Sequence, residues 1–116
     1  MLIGQSILAP GGDVTIDYFG PWLPRASNGA SFTVEILLAA AAGWTLDFEV
    51  QHKRSEEPDS AAVPVGALTG ITTVGTKTLS VSGLLELVRY KYSFTAGGVN
   101  PDWIHLRANP PIWQPN

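Results

Sequence analysis

The chain has 116 residues, a formal charge of −3 at pH 7 and no cysteine. A domain of this size buries roughly two-thirds of its unfolded surface, so we expect one core. The net charge gives no general attraction to nucleic acid or anionic lipid, and the lack of cysteine excludes disulfides and thiolate chemistry. Only 15% of the residues are charged, against about 25% in ordinary soluble domains. We therefore expect another chain to cover part of the neutral surface.

Two features argue against a membrane or secretory protein. The longest apolar stretch, Ile36 to Trp44, has nine residues, whereas roughly 20 are needed to span a bilayer. The start, Met1 to Gln5, lacks the basic and apolar segments of a secretory signal. We expect an uncleaved cytosolic translation product with no membrane partner.

The first predicted elements are two short strands, Leu2–Ala9 and Asp13–Phe19. The glycines of Pro10-Gly11-Gly12 between them suit a tight reversal, so the pattern predicts an N-terminal hairpin. Two prolines lack the donors that a central strand requires, which predicts an ordered loop over Gly20–Gly29.

Alternation of apolar and polar residues continues through the middle of the chain. Ser31–Leu38 and Trp44–Gln51 both have the two-residue period of half-buried strands. The alanine run that ends at Gly43 is too short to nucleate a helix, so we expect a strand end and a small turn there. His52–Ser60 is the most charged stretch and predicts a solvated loop.

The second half continues the strand pattern. Pro64 and Gly66 weaken Ala62–Leu68, which favours an edge position or an irregular crossing. The Thr- and Val-rich sequence around Gly75 predicts a further hairpin, followed by two clear strands that Gly97-Gly98 separates. The segments concerned are Ile71–Val74 with Thr76–Ser82, then Val88–Thr95 and Trp103–Ala108.

The strands occur at roughly ten-residue spacing, which is typical of an antiparallel sandwich. We predict an all-β, jelly-roll-like β-sandwich of seven to nine short strands, formed as a single domain by residues 1–108. Three prolines in residues 109–116 predict an extended, polyproline-like tail outside that domain, of a kind that often docks on something.

No catalytic pattern stands out. His52 and His105 could bind a metal with Asp47, Glu49 or Asp102, but no two-histidine spacing typical of metal sites is present, which favours surface histidines. Asp47 and Glu49 share one strand face, as a pair of glycosidase carboxylates would, although this spacing is common on solvated faces. No nucleophile elbow or phosphate-binding loop is present. We expect no enzymatic activity and no cofactor.

The strand from Val88 to Phe94 alternates aromatic residues with Arg89 and Lys91. Alternation places the aromatic rings in the core and the cations on the opposite face, so the rings cannot stack on bases beside the cations. We therefore predict no nucleic-acid partner.

Two tryptophans, Trp22 and Trp113, lie in proline-rich segments. An exposed Trp can anchor a protein interface or stack on a sugar ring. Alternatively, a Trp in a loop or tail folds back to cap the sandwich. The candidate partner-binding residues are Trp22, Leu23, Pro24, Ile112 and Trp113.

Six segments, which together span most of the chain, carry a resemblance to a known family: Pro21–Arg25, Phe32–Leu37, Phe48–Glu57, Leu87–Tyr92, Trp103–Leu106 and Pro110–Trp113. In this order they resemble the small β-sandwich decoration or cement proteins of tailed-bacteriophage heads. None of the segments is a catalytic signature. The resemblance implies a noncatalytic, oligomeric virion protein, made in the host cytoplasm, which binds the major capsid protein on the capsid exterior.

Two other classes remain open. A carbohydrate-binding module would use the same sandwich with exposed Trp side chains, although proline and aliphatic residues dominate the sequence around Trp22 and Trp113. A jelly-roll or cupin-type enzyme would hold a tightly bound metal.

Overall fold

The computed structural model describes residues 4–8, 15–39, 43–95 and 103–114. These residues form ten strand segments and one 3₁₀ turn, Asp59–Ala61, and contain no helix long and apolar enough to cross a membrane. The strands are β1 Gly4–Leu8, β2 Thr15–Phe19, β3 Leu23–Pro24, β4 Gly29–Ala39, β5 Thr45–Lys53, β6 Val63–Ile71, β7 Gly75–Val81, β8 Leu87–Thr95, β9 Ile104–Ala108 and β10 Ile112–Gln114.

The strands form two antiparallel sheets. In sheet A, β9 and then β10 pair along one edge of β4, β7 pairs with its other edge, and β1 pairs with β9. In sheet B, β2 and then β3 pair along one edge of β8, which is followed by β5 and β6. If β2 with β3, and β9 with β10, are each counted as one strand, the chain has eight strands. Renumbered from 1 to 8 along the chain, they have the order 1-8-3-6 in sheet A and 2-7-4-5 in sheet B. This is the connectivity of a jelly roll, and the predicted all-β sandwich is confirmed.

The core lies between the two sheets and follows the alternation in the sequence. Phe32 of sheet A meets Tyr90 of sheet B edge to face at 5.6 Å between ring centroids, and Phe48 lies 5.3 Å from the same tyrosine ring. All three side chains are fully buried, and each such burial contributes about 1.5–3 kcal/mol. The rings of β8 therefore point into the core, as their alternation with Arg89 and Lys91 predicts.

The predicted N-terminal hairpin is wrong. β1 pairs with β9 in sheet A, whereas β2 pairs with β8 in sheet B. The predicted turn at Pro10–Gly12 lies outside the described residues, and a turn signal in a sequence does not select the partner of the strand that follows. Pairing with β8 places Tyr18 opposite the buried Tyr92 and against the core, which a local hairpin would not provide.

The predicted hairpin around Gly75 is also wrong. Ile71 ends β6, which pairs with β5, while β7 pairs with β4 in the opposite sheet. The chain therefore crosses between the sheets at this corner. Away from this corner, Gly66 permits the close approach of β6 to β7, because a Cβ atom at this position would lie 2.6 Å from Cγ1 of Val81. The edge position predicted for β6 is confirmed in the described part of sheet B.

The described part of the tail, residues 109–114, is extended, as predicted, but it is not separate from the domain. Ile112–Gln114 pair with β4, and the backbone N–H of Asn109 donates to the Thr33 carbonyl at 3.0 Å. The hydroxyl of the buried Tyr90 donates to the Asn109 carbonyl at 2.8 Å. Pro110 and Pro111 thus interrupt a strand that continues along the same edge of β4.

Two further loop predictions are only partly covered. Most of the predicted loop Gly20–Gly29 is irregular, although its Leu23–Pro24 forms β3 at the edge of sheet B. Residues 40–42 of the predicted alanine turn, and the turn at Gly97-Gly98, lie outside the described residues.

Candidate functional site

Trp22 lies on the outer face of sheet B, where it meets two cations and a carboxylate. The guanidinium carbon of Arg89 is 4.6 Å from the Trp22 ring centroid and 4.3 Å from that of Phe19, and Nζ of Lys53 is 4.9 Å from the Trp22 ring. We call Phe19, Trp22, Lys53, Asp59 and Arg89 the aromatic–cation cluster. Strand alternation brings Arg89 and Lys53 to this face, and the loop before β3 folds over them.

Hydrogen bonds fix the orientation of the cluster. Nε1 of Trp22 donates to Oδ1 of Asp59 at 3.0 Å, and Nζ of Lys53 donates to the same oxygen at 3.1 Å. Nζ of Lys53 also donates to the Glu57 carbonyl at 2.7 Å. Asp59 lies on the 3₁₀ turn of the charged loop after β5. Its hydrogen bonds with Trp22 and Lys53 therefore link the loop before β3 to β5.

The electrostatics of the cluster favour internal pairing. The hydrogen bond from Lys53 is the main cause that lowers the pKa of Asp59, and the bond from Trp22 and the positive charges of Lys53 and Arg89 act in the same direction. The Lys53 and Arg89 side chains are only 8% and 13% exposed. Because both cations are largely covered, they are not presented to an external anion. Of the two aromatic residues in the cluster, Phe19 is the exposed one, with 47% of its surface accessible.

The predicted partner-binding residues do not form one surface. Trp113 and Leu23 are partly buried and pack against the core, whereas Trp22 packs on the outer face of sheet B. Ile112 is 64% exposed on the outer face of sheet A. Trp113 thus caps the core, and sheet B separates it from Trp22.

Pro24, the fifth of these residues, lines a shallow open groove of about 370 Å³. The polar residues that line the groove are hydrogen-bonded to each other, since the Glu86 carboxylate accepts hydrogen bonds from the backbone N–H and the hydroxyl of Ser55. Arg25, also in the wall, donates to Asn28 at 2.7 Å and to the Leu84 carbonyl. The groove connects β3 to the loop after β5.

The outer face of sheet A carries a charge-free patch that the sequence analysis missed. Cross-strand hydroxyls meet there: Oγ of Ser31 is 3.1 Å from that of Ser80, and Oγ1 of Thr33 is 3.4 Å from that of Thr78. Nε2 of Gln114 donates to Ser31 at 2.9 Å. We call this patch the hydroxyl face; its residues are Ser31, Thr33, Thr78, Ser80, Ile112 and Gln114, and it ends where Thr76 lies opposite Glu35.

The ion pair between Arg107 and Glu35, with 2.7 Å between its nitrogen and oxygen, lies at the margin of this face. The alternation in Ser31–Leu38 and Thr76–Ser82 predicts which residues point outward. It does not indicate that β4 and β7 are neighbours, and this pairing creates the hydroxyl face.

The described residues contain no cluster of three potential metal ligands. His52 lies in sheet B, where its Nδ1 accepts the Leu85 backbone N–H at 3.1 Å and burial lowers its pKa, while His105 lies in sheet A. Asp47 accepts the Gly70 N–H at 2.8 Å. Asp102 lies outside the described residues.

Glu49 accepts a hydrogen bond from the Gln51 amide at 2.7 Å. In the candidate carboxylate pair, Asp47 and Glu49 are thus both bound to structural partners.

No protein-family model, curated protein sequence or solved structure matches this chain.

Proposed function

We propose that this chain is a noncatalytic structural protein that stabilises the head of a tailed bacteriophage by binding its major capsid protein. The resemblance of the segments quoted above supports the phage assignment. On this proposal the protein is made in the host cytoplasm and ends on the capsid exterior.

The observation that carries the proposal is the hydroxyl face. The cores of protein interfaces are depleted in charged residues, and this patch has none on a chain whose net charge is −3. The outer face of sheet B, by contrast, carries Asp17, Lys91 and the aromatic–cation cluster.

Two further properties suit the hydroxyl face to docking. The cross-strand bonds Ser31–Ser80 and Thr33–Thr78 already hold its side chains, so little rotamer entropy is lost on binding. Ile112, 64% exposed at its border, offers an apolar anchor.

Cosedimentation with capsids tests this proposal. We expect the purified chain to sediment with capsids from the same source that lack it, and Thr78→Lys to lose most of this binding, because a desolvated lysine is costly in an interface core. Thr69→Lys is the matched control, since this exposed threonine lies on β6 in sheet B.

Failure of the wild-type chain to sediment with capsids would refute capsid binding. Equal binding by the two lysine variants would refute the assignment to the hydroxyl face.

Carbohydrate binding is the second candidate, and one observation favours it. The sequence around Trp22 is rich in proline and aliphatic residues, yet the folded chain surrounds the indole with Lys53, Arg89 and Asp59. Polar groups beside an aromatic ring are typical of sugar sites. It ranks second because both cations lie over the Trp22 ring and Asp59 already accepts the indole N–H.

Titration with neutral oligosaccharides, followed by Trp fluorescence, tests this candidate. Binding predicts a saturable change in the wild-type chain that is absent in Trp22→Ala and retained in Trp113→Ala, because only Trp22 lies in the cluster. No change at millimolar sugar would eliminate this candidate.

A further inference from the structure

The free strand edges whose side chains the structure describes are unequally protected against pairing with another chain; β1, the outer strand beside β9, is a further edge of sheet A. An exposed edge carries unpaired N–H and C=O groups, and natural sheets block it with proline, irregular pairing or inward-pointing charge. β6, at one edge of sheet B, has Pro64 and two shifts of register against β5. β7, in sheet A, has Lys77 directly opposite the fully buried Val34, so its charge is on the inward face.

β6 and β7 also cover each other in part, and proline interrupts a third edge strand, β10. β6 and β7 pack against each other at Gly66 and Val81. β10 is three residues long and follows Pro110 and Pro111. Proline interrupts the free edge there.

β2 has none of these devices. Its sequence, Thr-Ile-Asp-Tyr-Phe, contains no proline, lysine or glycine, and its pairing with β8 has no shift of register. Among the described residues, only β8 pairs with β2, and its large apolar side chains are exposed: Ile16 at 38% and Phe19 at 47%. The side chains of these two residues alternate across the strand, so apolar surface flanks the edge on both faces.

We propose that β2 is the site at which a second copy of this chain adds its own β2, in an antiparallel, two-fold symmetric pair. The local charge permits this occupant although each copy is acidic, because Asp17 lies 3.8 Å from Lys91 and accepts the Ser93 hydroxyl at 2.7 Å. In a two-fold contact the same strand of each copy lies against the edge of the other, so each copy covers part of the exposed Ile16 and Phe19 side chains of its partner.

Two-fold symmetry and the repulsion between like charges select the register of this strand pair. Directly opposed residues in antiparallel strands share a face, so the symmetric registers are centred on residues. A register centred on Asp17 would oppose two carboxylates, which is unfavourable. A register centred on Tyr18 pairs residues 16–20 of both copies and places Asp17 of each opposite Phe19 of the other. Such a short contact falls below the roughly 1,200 Å² of a standard interface, so we expect micromolar affinity.

Sedimentation velocity of the full chain, from micromolar to millimolar concentration and without capsids, tests this inference. We expect a monomer–dimer equilibrium for the wild type and a monomer at every concentration for Ile16→Lys, because an edge lysine blocks strand addition. Val63→Lys is the matched control, since Val63 is 49% exposed on the protected edge strand β6. It should dimerise as the wild type does.

Phe19→Ser provides a second test that does not depend on the folding of Ile16→Lys, and it should weaken dimerisation at least tenfold. A monomeric wild type, or equal effects of Ile16→Lys and Val63→Lys, would overturn the inference. Because the dimer edge and the hydroxyl face lie on different sheets, capsid binding by a monomeric Ile16→Lys would leave the proposed function intact.

Discussion

Gly66 tests how closely β6 of sheet B packs against β7 of sheet A. In Gly66→Ala the new Cβ would lie 2.6 Å from Cγ1 of Val81 and 3.3 Å from Cδ2 of Leu79. Carbon atoms normally approach to about 3.5–4.0 Å, so the valine methyl must move by about 1 Å. Valine is stiff at χ1, and overpacking of this kind costs about 1–3 kcal/mol. The lower chain entropy of unfolded Ala offsets about 0.4–1 kcal/mol of that cost.

A double-mutant cycle in urea, followed by Trp fluorescence, measures this contact. We expect Gly66→Ala to lower the free energy of unfolding by about 1–2 kcal/mol in the wild-type background, which is the cost of overpacking less the entropy offset. In the Val81→Ala background the clashing methyl is absent, so the same substitution should have no effect or stabilise slightly. Equal destabilisation in both backgrounds would refute the close approach of β6 and β7.

Two other predictions concern the aromatic–cation cluster and the core. Because the folded chain lowers the pKa of Asp59, its stabilising effect is present above the unfolded-state pKa and is lost as the pH falls through the folded-state value. The urea midpoint of the wild type should thus fall more steeply than that of Asp59→Asn between about pH 5 and pH 2, and parallel curves would contradict the role of Asp59. Tyr90→Phe removes the 2.8 Å bond to the Asn109 carbonyl and should cost about 1–3 kcal/mol in urea unfolding. Burial raises the pKa of Tyr90, so wild-type stability should also decline above about pH 10, where unfolded tyrosine ionises, and it should do so less in Tyr90→Phe.

Much of the fold could be predicted because its signals are local. The two-residue alternation located β4, β5, β8 and β9 and assigned their inward residues, as Phe48 and Tyr90 illustrate. Pairing was less predictable, because turn signals such as Pro10–Gly12 and Gly75 predict a reversal and not which strand the chain joins next. Both hairpin predictions failed because the two strands of each predicted hairpin lie in different sheets. The tail was misassigned because β4 offers a free edge that its own sequence does not reveal.

The surface features depended even more on long-range pairing. The sequence identified Trp22 as a candidate but not its partners, because Asp59 and Arg89 are 37 and 67 positions further along the chain. The charge-free character of the hydroxyl face likewise required Thr33 and Thr78 to become neighbours. Ile112 was selected from its proline-rich segment, and its exposure follows from the register of β10 on β4.

The pairing of β4 with β7 supports both the fold and the hydroxyl face, and an engineered disulfide tests it most directly. The natural chain has no cysteine, so Thr33→Cys/Thr78→Cys introduces the only two thiols. Directly opposed residues have Cβ atoms about 4.5–5.5 Å apart, close to disulfide geometry. We predict that mild oxidation gives an intramolecular crosslink in the folded double variant, identified by peptide mass spectrometry, and little in Thr33→Cys/Thr69→Cys. Absence of the Thr33–Thr78 crosslink, or equal crosslinking in the control, would contradict the account.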